Sequence, residues 1–181
     1  MLSNIGNILI AASLFTCLLI FYCTFKNLNE PIQIKYNRLI RISLYQTTFV
    51  ITSFATLITG YLLSDFSLVN VFENSHSQKP IFYKISGAWG NHEGSLLLWI
   101  NILVLFSYLF LILKKGIEKE FKIKTLVIQN ILIFGFLLFL IINSNPFSLI
   151  VPIPKEGMGL NPILQDPALA IHPPLLYVGF V

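Results

Sequence analysis

Charged residues are scarce in this chain. Only 11% of its 181 residues are Asp, Glu, Lys or Arg, whereas 55% are hydrophobic. A soluble domain usually carries about 25% charged residues. The composition therefore excludes an ordinary soluble domain and indicates an integral membrane protein. Nucleic-acid binding is not indicated either, because the net charge is only +4 and most basic residues stand in two short segments beside apolar runs.

Cysteine is nearly absent, which removes several classes of site. Cys17 and Cys23 lie six residues apart in one apolar stretch, so they form neither a C-x-x-C pair nor the C-x-x-C-H attachment site of a c-type cytochrome. The sequence also lacks a P-loop, a dinucleotide-binding fingerprint and a zinc motif. Residues 1–7 lack the basic start of a signal peptide, so we expect the first apolar segment to remain as a membrane anchor.

Long apolar runs dominate what is present. A helix needs about 20 apolar residues, within a range of roughly 17 to 25, to cross the hydrocarbon core of a bilayer. Four segments meet that requirement: residues 8–25, 40–63, 96–113 and 126–142. A fifth apolar run begins near Pro174, and its eight residues to Val181 rise only about 12 Å as a helix. We predict an all-α integral membrane protein with four transmembrane helices and the start of a fifth.

Lysine and arginine predict the orientation of these spans. The connections at residues 26–41 and 114–125 carry nine of the 12 basic residues. Basic residues stay on the cytoplasmic or matrix side of a membrane, so we place these connections inside and the N-terminus outside. The connections at residues 64–95 and 143–171 then face the periplasm or intermembrane space. All three histidines lie outside the predicted spans on this outward side.

A polar patch from Trp89 to Ser95 runs directly into the third predicted span. Its sequence is Trp-Gly-Asn-His-Glu-Gly-Ser. One interpretation is a helix start, in which the Trp89 ring lies among the headgroups and Ser95 or Asn91 caps the helix. The other is a functional patch, because His92 and Glu93 can titrate or coordinate and the glycines allow another group to come close. These residues leave both interpretations open.

His172 stands at the boundary of the fifth apolar run, directly before Pro173 and Pro174. We expect the prolines to occupy the first turn of a helix, where a missing N–H costs nothing. An imidazole held beside them can serve as an axial ligand of haem iron, a metal ligand or a proton relay, or it can simply mark a helix entry. His76, which stands between two serines, is interpreted as a solvated loop residue.

Several of these segments belong together. They are residues 89–99, residues 145–147 with 161–167, and residues 171–177, with residues 80–84 directly before the first of them. As a set and in this order, they resemble the signatures of the CcmF family of cytochrome c maturation proteins, which are haem lyase subunits. The combination is specific, whereas residues 1–79 add only compatible hydropathy. The chain resembles the N-terminal part of that family alone.

The resemblance implies a role in haem attachment. CcmF-like proteins position b-type haem, a substrate in transit, on the outer membrane face, where its vinyl groups form thioethers with the cysteines of apocytochrome c. By motif match, the axial ligand of the haem iron is His172. No catalytic group and no metal besides the haem iron is assigned. The other motif residues are expected to form a wall or scaffold beside the haem: Trp89, Gly90, His92, Glu93, Gly94, Ser95, Trp99, Asp166, Pro173 and Pro174.

The resemblance also implies partners. These are the remaining CcmF portion, as a separate chain or as missing sequence, a haem chaperone, a thioreductive subunit, apocytochrome c and the lipid bilayer, without nucleic acid. The family's tryptophan-rich haem platform is absent, so we expect the chain not to act alone. The use of 10 lysines against 2 arginines favours the mitochondrial inner membrane, with a bacterial inner membrane as the alternative. The alternative functions are a non-catalytic membrane subunit of a respiratory complex and part of a transporter.

Overall fold

Seven α-helices form the described part of the chain. A computed structural model describes residues 1–26, 30–113 and 116–181. The helices are α1 (Leu2–Phe25), α2 (Ile32–Leu63), α3 (Val69–Asn74), α4 (Ile81–Gly87), α5 (His92–Leu113), α6 (Lys119–Asn143) and α7 (Pro167–Phe180), with a short 3-10 turn at Pro162–Gln165. Four of them, α1, α2, α5 and α6, are long and apolar enough to cross a membrane. The predicted all-α membrane architecture is confirmed.

Every long helix begins earlier than its predicted apolar span. The largest differences are in α2, which begins at Ile32 rather than at residue 40, and in α6, which begins at Lys119 rather than at residue 126. A helix satisfies its own backbone hydrogen bonds, so it can continue into the polar region of the membrane, where hydropathy no longer marks it. The apolar runs therefore predict which helices exist but underestimate their length.

The end of the bundle that carries the basic connections is more structured than those connections suggest. Lys122 is only 5% exposed. Its ammonium group donates to the carbonyl of Leu111 at 2.7 Å and to the hydroxyl of Tyr36 at 3.1 Å. A cation stabilises the carbonyl end of a helix, here α5, because the helix dipole is negative there. Lys114 and Lys115, which belong to the same predicted connection, lie outside the described residues.

The four long helices form one bundle. Helix α1 packs against α2 and α6, and α5 packs against the same two helices. Inside the bundle, the side chain of Gln46 donates to Asn130 at 3.1 Å, and Asn130 donates to the carbonyl of Cys17 at 3.1 Å. These bonds join α1, α2 and α6, as polar side chains commonly do between membrane helices. The bundle supports the two long connections at its other end.

Those two connections, predicted to face outward, pack against each other. The first contains α3 and α4 and so has more helix than a simple loop. Backbone hydrogen bonds join it to the second connection, from the Val69 N–H to the Ser148 carbonyl at 2.9 Å and from the Met158 N–H to the Phe72 carbonyl at 2.8 Å. The polar patch lies at the end of the first of these connections and contacts the second at Leu160 and Leu164.

Candidate functional site

Helix α5 begins directly after Asn91, whose side chain caps it. The Oδ1 atom of Asn91 accepts the N–H of Gly94 at 2.8 Å, and this amide is one of the first in the helix, which have no intrahelical partner. Of the two caps that the sequence left open, the structure therefore selects Asn91. The Ser95 hydroxyl instead donates to the His92 carbonyl at 3.0 Å. The Glu93 carboxylate lies in the first turn, near the positive end of the helix dipole.

The two glycines of the patch lie at close approaches. A Cβ atom at Gly94 would lie 1.8 Å from the carbonyl oxygen of Ala88. A Cβ atom at Gly90 would lie 3.0 Å from the side chains of both Leu160 and Leu164. The turn between α4 and α5 is thus pressed against its own backbone at Gly94 and against the second connection at Gly90. Only glycine fits the first of these contacts without a backbone shift.

A buried polar network holds this turn against α2 and α3. The Tyr61 hydroxyl donates to Oδ1 of Asn70 at 2.7 Å and accepts from Nδ2 of Asn91 at 3.0 Å. The Nδ2 atom of Asn70 donates to Oδ1 of Asn91 at 2.7 Å and to Glu93 at 3.3 Å. Tyr61 and Asn70 were not predictable from the sequence, because no local signal connects residues of α2 and α3 with the patch. Glu93 therefore binds an amide, and within the described ranges it has no ion-pair partner.

Both tryptophans of the chain contact α7. The Nε1–H of Trp89 donates to the carbonyl of Ala170 at 2.8 Å, so it binds protein backbone and not only the headgroup region. The ring of Trp99 stacks on that of Tyr177, with centroids 6.4 Å apart. Trp89 precedes α5 and Trp99 lies within it. The first motif of the sequence is therefore brought against the last.

Helix α7 begins seven residues earlier than the sequence predicts. The side chain of Asp166 caps it by accepting the N–H of Ala168 at 2.8 Å. Pro173 and Pro174 consequently lie inside the helix and not in its first turn. The sequence prediction was wrong here because Pro167 and its capping aspartate already provide a complete helix start. The side chain of His172 is exposed on this helix and makes no hydrogen bond within the described part of the chain.

His92 is the first residue of α5, and its side chain packs against α6. Its Nδ1 atom is 3.2 Å from the hydroxyl of Ser144, and its ring packs edge-on against Phe139 with centroids 6.1 Å apart. It stands at an apolar groove of about 560 Å³ that Trp99 and Phe136 also line. The described contacts of the His92 side chain are thus with α6 and the residue that follows it, and its place in a wall beside the haem stays a prediction.

A second polar cluster links the two outer connections at His76. Its Nδ1 atom lies 3.9 Å from the carboxylate of Glu156. Glu156 also accepts the hydroxyl of Ser77 at 2.5 Å and the N–H of Ser77 at 2.9 Å. These bonds, together with one from the Gly157 N–H, lower the pKa of Glu156 to about 2. His76, predicted as a solvated loop residue, is therefore partly engaged in this cluster.

The lowered pKa of Glu156 predicts a pH dependence of the contact between the connections. Its pKa in the folded chain, about 2, is below the ordinary value of 4.5. The carboxylate therefore stabilises the fold above pH 4.5, and we expect that contribution to disappear as the pH falls from 4.5 towards 2. The measurement is the thermal unfolding midpoint of the purified protein between pH 7 and pH 3. Glu156→Gln should lower the midpoint at pH 7 and flatten its acid dependence; an unchanged profile would refute the assignment.

The described residues contain no conventional metal cluster. Among them, no three side chains of His, Cys, Asp or Glu come together so as to hold a metal ion. A single exposed imidazole, in contrast, suffices to ligate an iron atom that arrives already held by a porphyrin. His172 meets that requirement. The exposed side chains of Leu169, Leu175 and Leu176 stand one helical turn from it and provide apolar surface on both sides.

The known proteins that this chain resembles are cytochrome c assembly proteins. Residues 89–181 match the protein family described as "Cytochrome C assembly protein". The chain is 53% identical over 129 residues to the cytochrome c-type biogenesis protein CycK of Rhizobium meliloti, a match that covers 71% of this chain and 19% of that protein. It is 42% identical over 130 residues to the cytochrome c-type biogenesis protein CcmF of Escherichia coli, covering 71% of this chain and 20% of that protein.

The fold is similar to that of a solved structure, "Cytochrome c Heme Lyase CcmF". The TM-score is 0.81 at 20% sequence identity, and the match covers 99% of this chain and 28% of the other. The arrangement of helices described above is thus shared almost throughout this chain. The chain spans about one fifth of the length of the curated relatives it matches.

Proposed function

The chain belongs to the cytochrome c assembly protein family, and on that premise we propose that it positions haem on the outer membrane face for thioether attachment to apocytochrome c. In this proposal, haem is a b-type substrate in transit, and His172 is an axial ligand of its iron. The contribution of the chain is to hold and orient the haem, which accelerates a reaction by presenting the reacting groups in a fixed geometry. No residue of the chain is assigned to the bond-forming step itself.

The observation that carries the proposal is an exposed histidine on a braced helix. The imidazole of His172 is exposed and makes no hydrogen bond within the described residues. The helix around it is capped by Asp166 and contacts Trp89 and Trp99. An axial ligand needs one accessible ring nitrogen on a backbone that does not move. A displaced imidazole would no longer hold the iron where the haem vinyl groups face the cysteines of apocytochrome c. The leucines one turn away supply the apolar surface that a porphyrin face favours.

The remaining partners follow from the share of the family protein that this chain represents. Since it spans about one fifth of its relatives, we infer that it works with the rest of a CcmF-type protein, as a separate chain or in one polypeptide. A haem chaperone, a thioreductive subunit and apocytochrome c complete the proposed set. We place the complex in the mitochondrial inner membrane on the strength of lysine usage, with a bacterial inner membrane as the alternative.

The test is to replace His172 in the complex and measure its haem. We expect His172→Ala to reduce co-purified haem and holocytochrome c by about tenfold or more, a loss at least as large as that commonly caused by disturbing the surroundings of a metal ligand. Assembly of the membrane complex should be unchanged, because the side chain is exposed. The measurements are the haem absorption spectrum of the purified complex and the yield of holocytochrome c.

His76→Ala is the matched control, since it removes the imidazole of another histidine on the same predicted side. We expect that variant to retain haem. If His172→Ala retains haem and cytochrome maturation at the level of the unmodified protein, the ligand assignment is wrong. The chain would then serve the assembly family in a role other than ligation of haem iron through His172.

A further inference from the structure

The bond between Trp89 and Ala170 has an unusual acceptor. It joins residues 81 positions apart, and its acceptor is a main-chain carbonyl inside α7. In a regular helix that carbonyl accepts the N–H of the residue four positions later. That residue is Pro174, which has no N–H. The proline therefore leaves the Ala170 carbonyl without its helical partner, and the indole of Trp89 takes the vacant place.

Burial makes this carbonyl different from its neighbour. Pro173 likewise removes the helical partner of the Leu169 carbonyl, but Leu169 is 43% exposed, whereas Ala170 is only 2% exposed. Water or lipid headgroups can serve an exposed carbonyl, while a buried one needs a partner from the protein. The need for an external donor is therefore greatest at Ala170, where Trp89 supplies it.

The position of this bond relative to His172 suggests its purpose. Ala170 lies two residues before His172, and Tyr177, which stacks on Trp99, lies five residues after it. The two tryptophans thus hold α7 at points on either side of the histidine. Gly90 lets Leu164, just before α7, come within contact distance of the same turn. Helix α7 packs against α4 and α5, the two helices that flank this turn.

We propose that Trp89 is a positioning residue for His172. By donating to the carbonyl that Pro174 leaves free, the Trp89 indole N–H sets the rotation and depth of α7 and so the place from which the imidazole meets haem iron. The proposal rests on the proposed function, in which His172 is the axial ligand. It assigns Trp89 no contact with haem; the residue acts only through the backbone of α7.

The test first removes the indole N–H of Trp89 and then gives the Ala170 carbonyl a partner within its own helix. Trp89→Phe keeps an aromatic ring near Phe54, whose ring centroid is 6.5 Å from that of Trp89, but deletes the donor. In the complex we expect it to lower haem occupancy about fivefold, the factor that one neutral hydrogen bond is commonly worth. We also expect a change in the haem absorption spectrum, because a displaced imidazole ligates iron less uniformly. Hydrogen exchange of the α7 amides, measured without haem, should accelerate.

Pro174→Ala provides the rescue, because residue 174 then has an N–H that can serve the Ala170 carbonyl within the helix. In that background, Trp89→Phe should change both α7 exchange and haem occupancy by much less than in the unmodified chain. Pro173→Ala is the matched control: its new N–H serves the Leu169 carbonyl, so the full effect of Trp89→Phe should remain. Coupling with Pro174 and none with Pro173 is a pattern that a general loss of packing would not produce.

The outcomes separate this inference from the proposed function. If Trp89→Phe leaves α7 exchange unchanged, or couples equally to both prolines, the role of the Trp89 N–H as partner of the Ala170 carbonyl is refuted. If α7 exchange accelerates but haem occupancy and spectrum stay unchanged while His172→Ala loses haem, the ligand assignment stands and the positioning role is wrong. If neither variant affects haem, the proposed function fails, and an accelerated α7 exchange then leaves Trp89 with a purely structural role.

Discussion

Gly94→Ala is expected to destabilise the folded chain by about 3 kcal/mol, at the upper end of the usual cost of overpacking. The added Cβ atom would lie 1.8 Å from the carbonyl oxygen and 2.9 Å from the carbonyl carbon of Ala88. Both are backbone atoms, so no side-chain rotation relieves the contact. Ala88 is fully buried, and the displacement must therefore pass into the neighbouring backbone of Trp89.

Thermal unfolding of the purified complex in detergent measures this effect. For a chain of this size, about 3 kcal/mol corresponds to a fall in the unfolding midpoint of about 6–12 °C. Gly135→Ala in α6 is the matched control, because a Cβ atom there meets nothing within 4 Å. We expect the control to be at least as stable as the unmodified protein, by up to about 1 kcal/mol, because alanine favours a helix interior over glycine. Equal midpoints for the two variants would show that the α4–α5 turn is not closed as described.

Asn91→Ala is expected to cost a similar amount, about 2–4 kcal/mol, for a different reason. Its side chain accepts the Gly94 N–H and donates to the Gly87 carbonyl at 2.9 Å and to the Tyr61 hydroxyl at 3.0 Å. Loss of a helix cap costs about 1 kcal/mol. Buried polar groups left without a partner add about 1–3 kcal/mol. The damage is concentrated where α2, α3 and α5 meet.

Ser95→Ala is the control for the Asn91 variant. Its hydroxyl donates to the His92 carbonyl at 3.0 Å, within the first turn of α5. We expect its removal to change the free energy of unfolding by no more than about 0.5 kcal/mol. The comparison decides between the two caps that the sequence allowed. If Ser95→Ala were the more destabilising, the assignment of Asn91 as the cap and as the centre of the network would be incorrect.

The helices themselves were predictable. Four apolar runs of sufficient length correspond to the four long helices, because a chain in hydrocarbon must satisfy its backbone hydrogen bonds within each segment. Their ends were not predictable from hydropathy. Helix α2 begins at Ile32 among polar residues and without a side-chain cap, whereas α7 begins at Pro167, directly after the capping residue Asp166.

The candidate site was likewise predictable only in part. The cap at Asn91 was one of two local alternatives, because capping depends on residues only three positions apart. The family membership predicted for the motifs is confirmed, while the role of His172 remains a prediction. The partners of Trp89 and Asn91, namely Ala170, Tyr61 and Asn70, could not be found from the sequence, because a contact between distant residues leaves no periodic signal.

By itself, then, the sequence determined the membrane class, the existence of the long helices and the local chemistry of its motifs. All of these depend on interactions within a few residues or with the bilayer. Only the tertiary structure decided that Lys122 is buried and that Trp89 serves Ala170. The absence of an N–H at Pro174 shows that a carbonyl is left free, but the packing of α4 and α5 against α7 decides which donor reaches it.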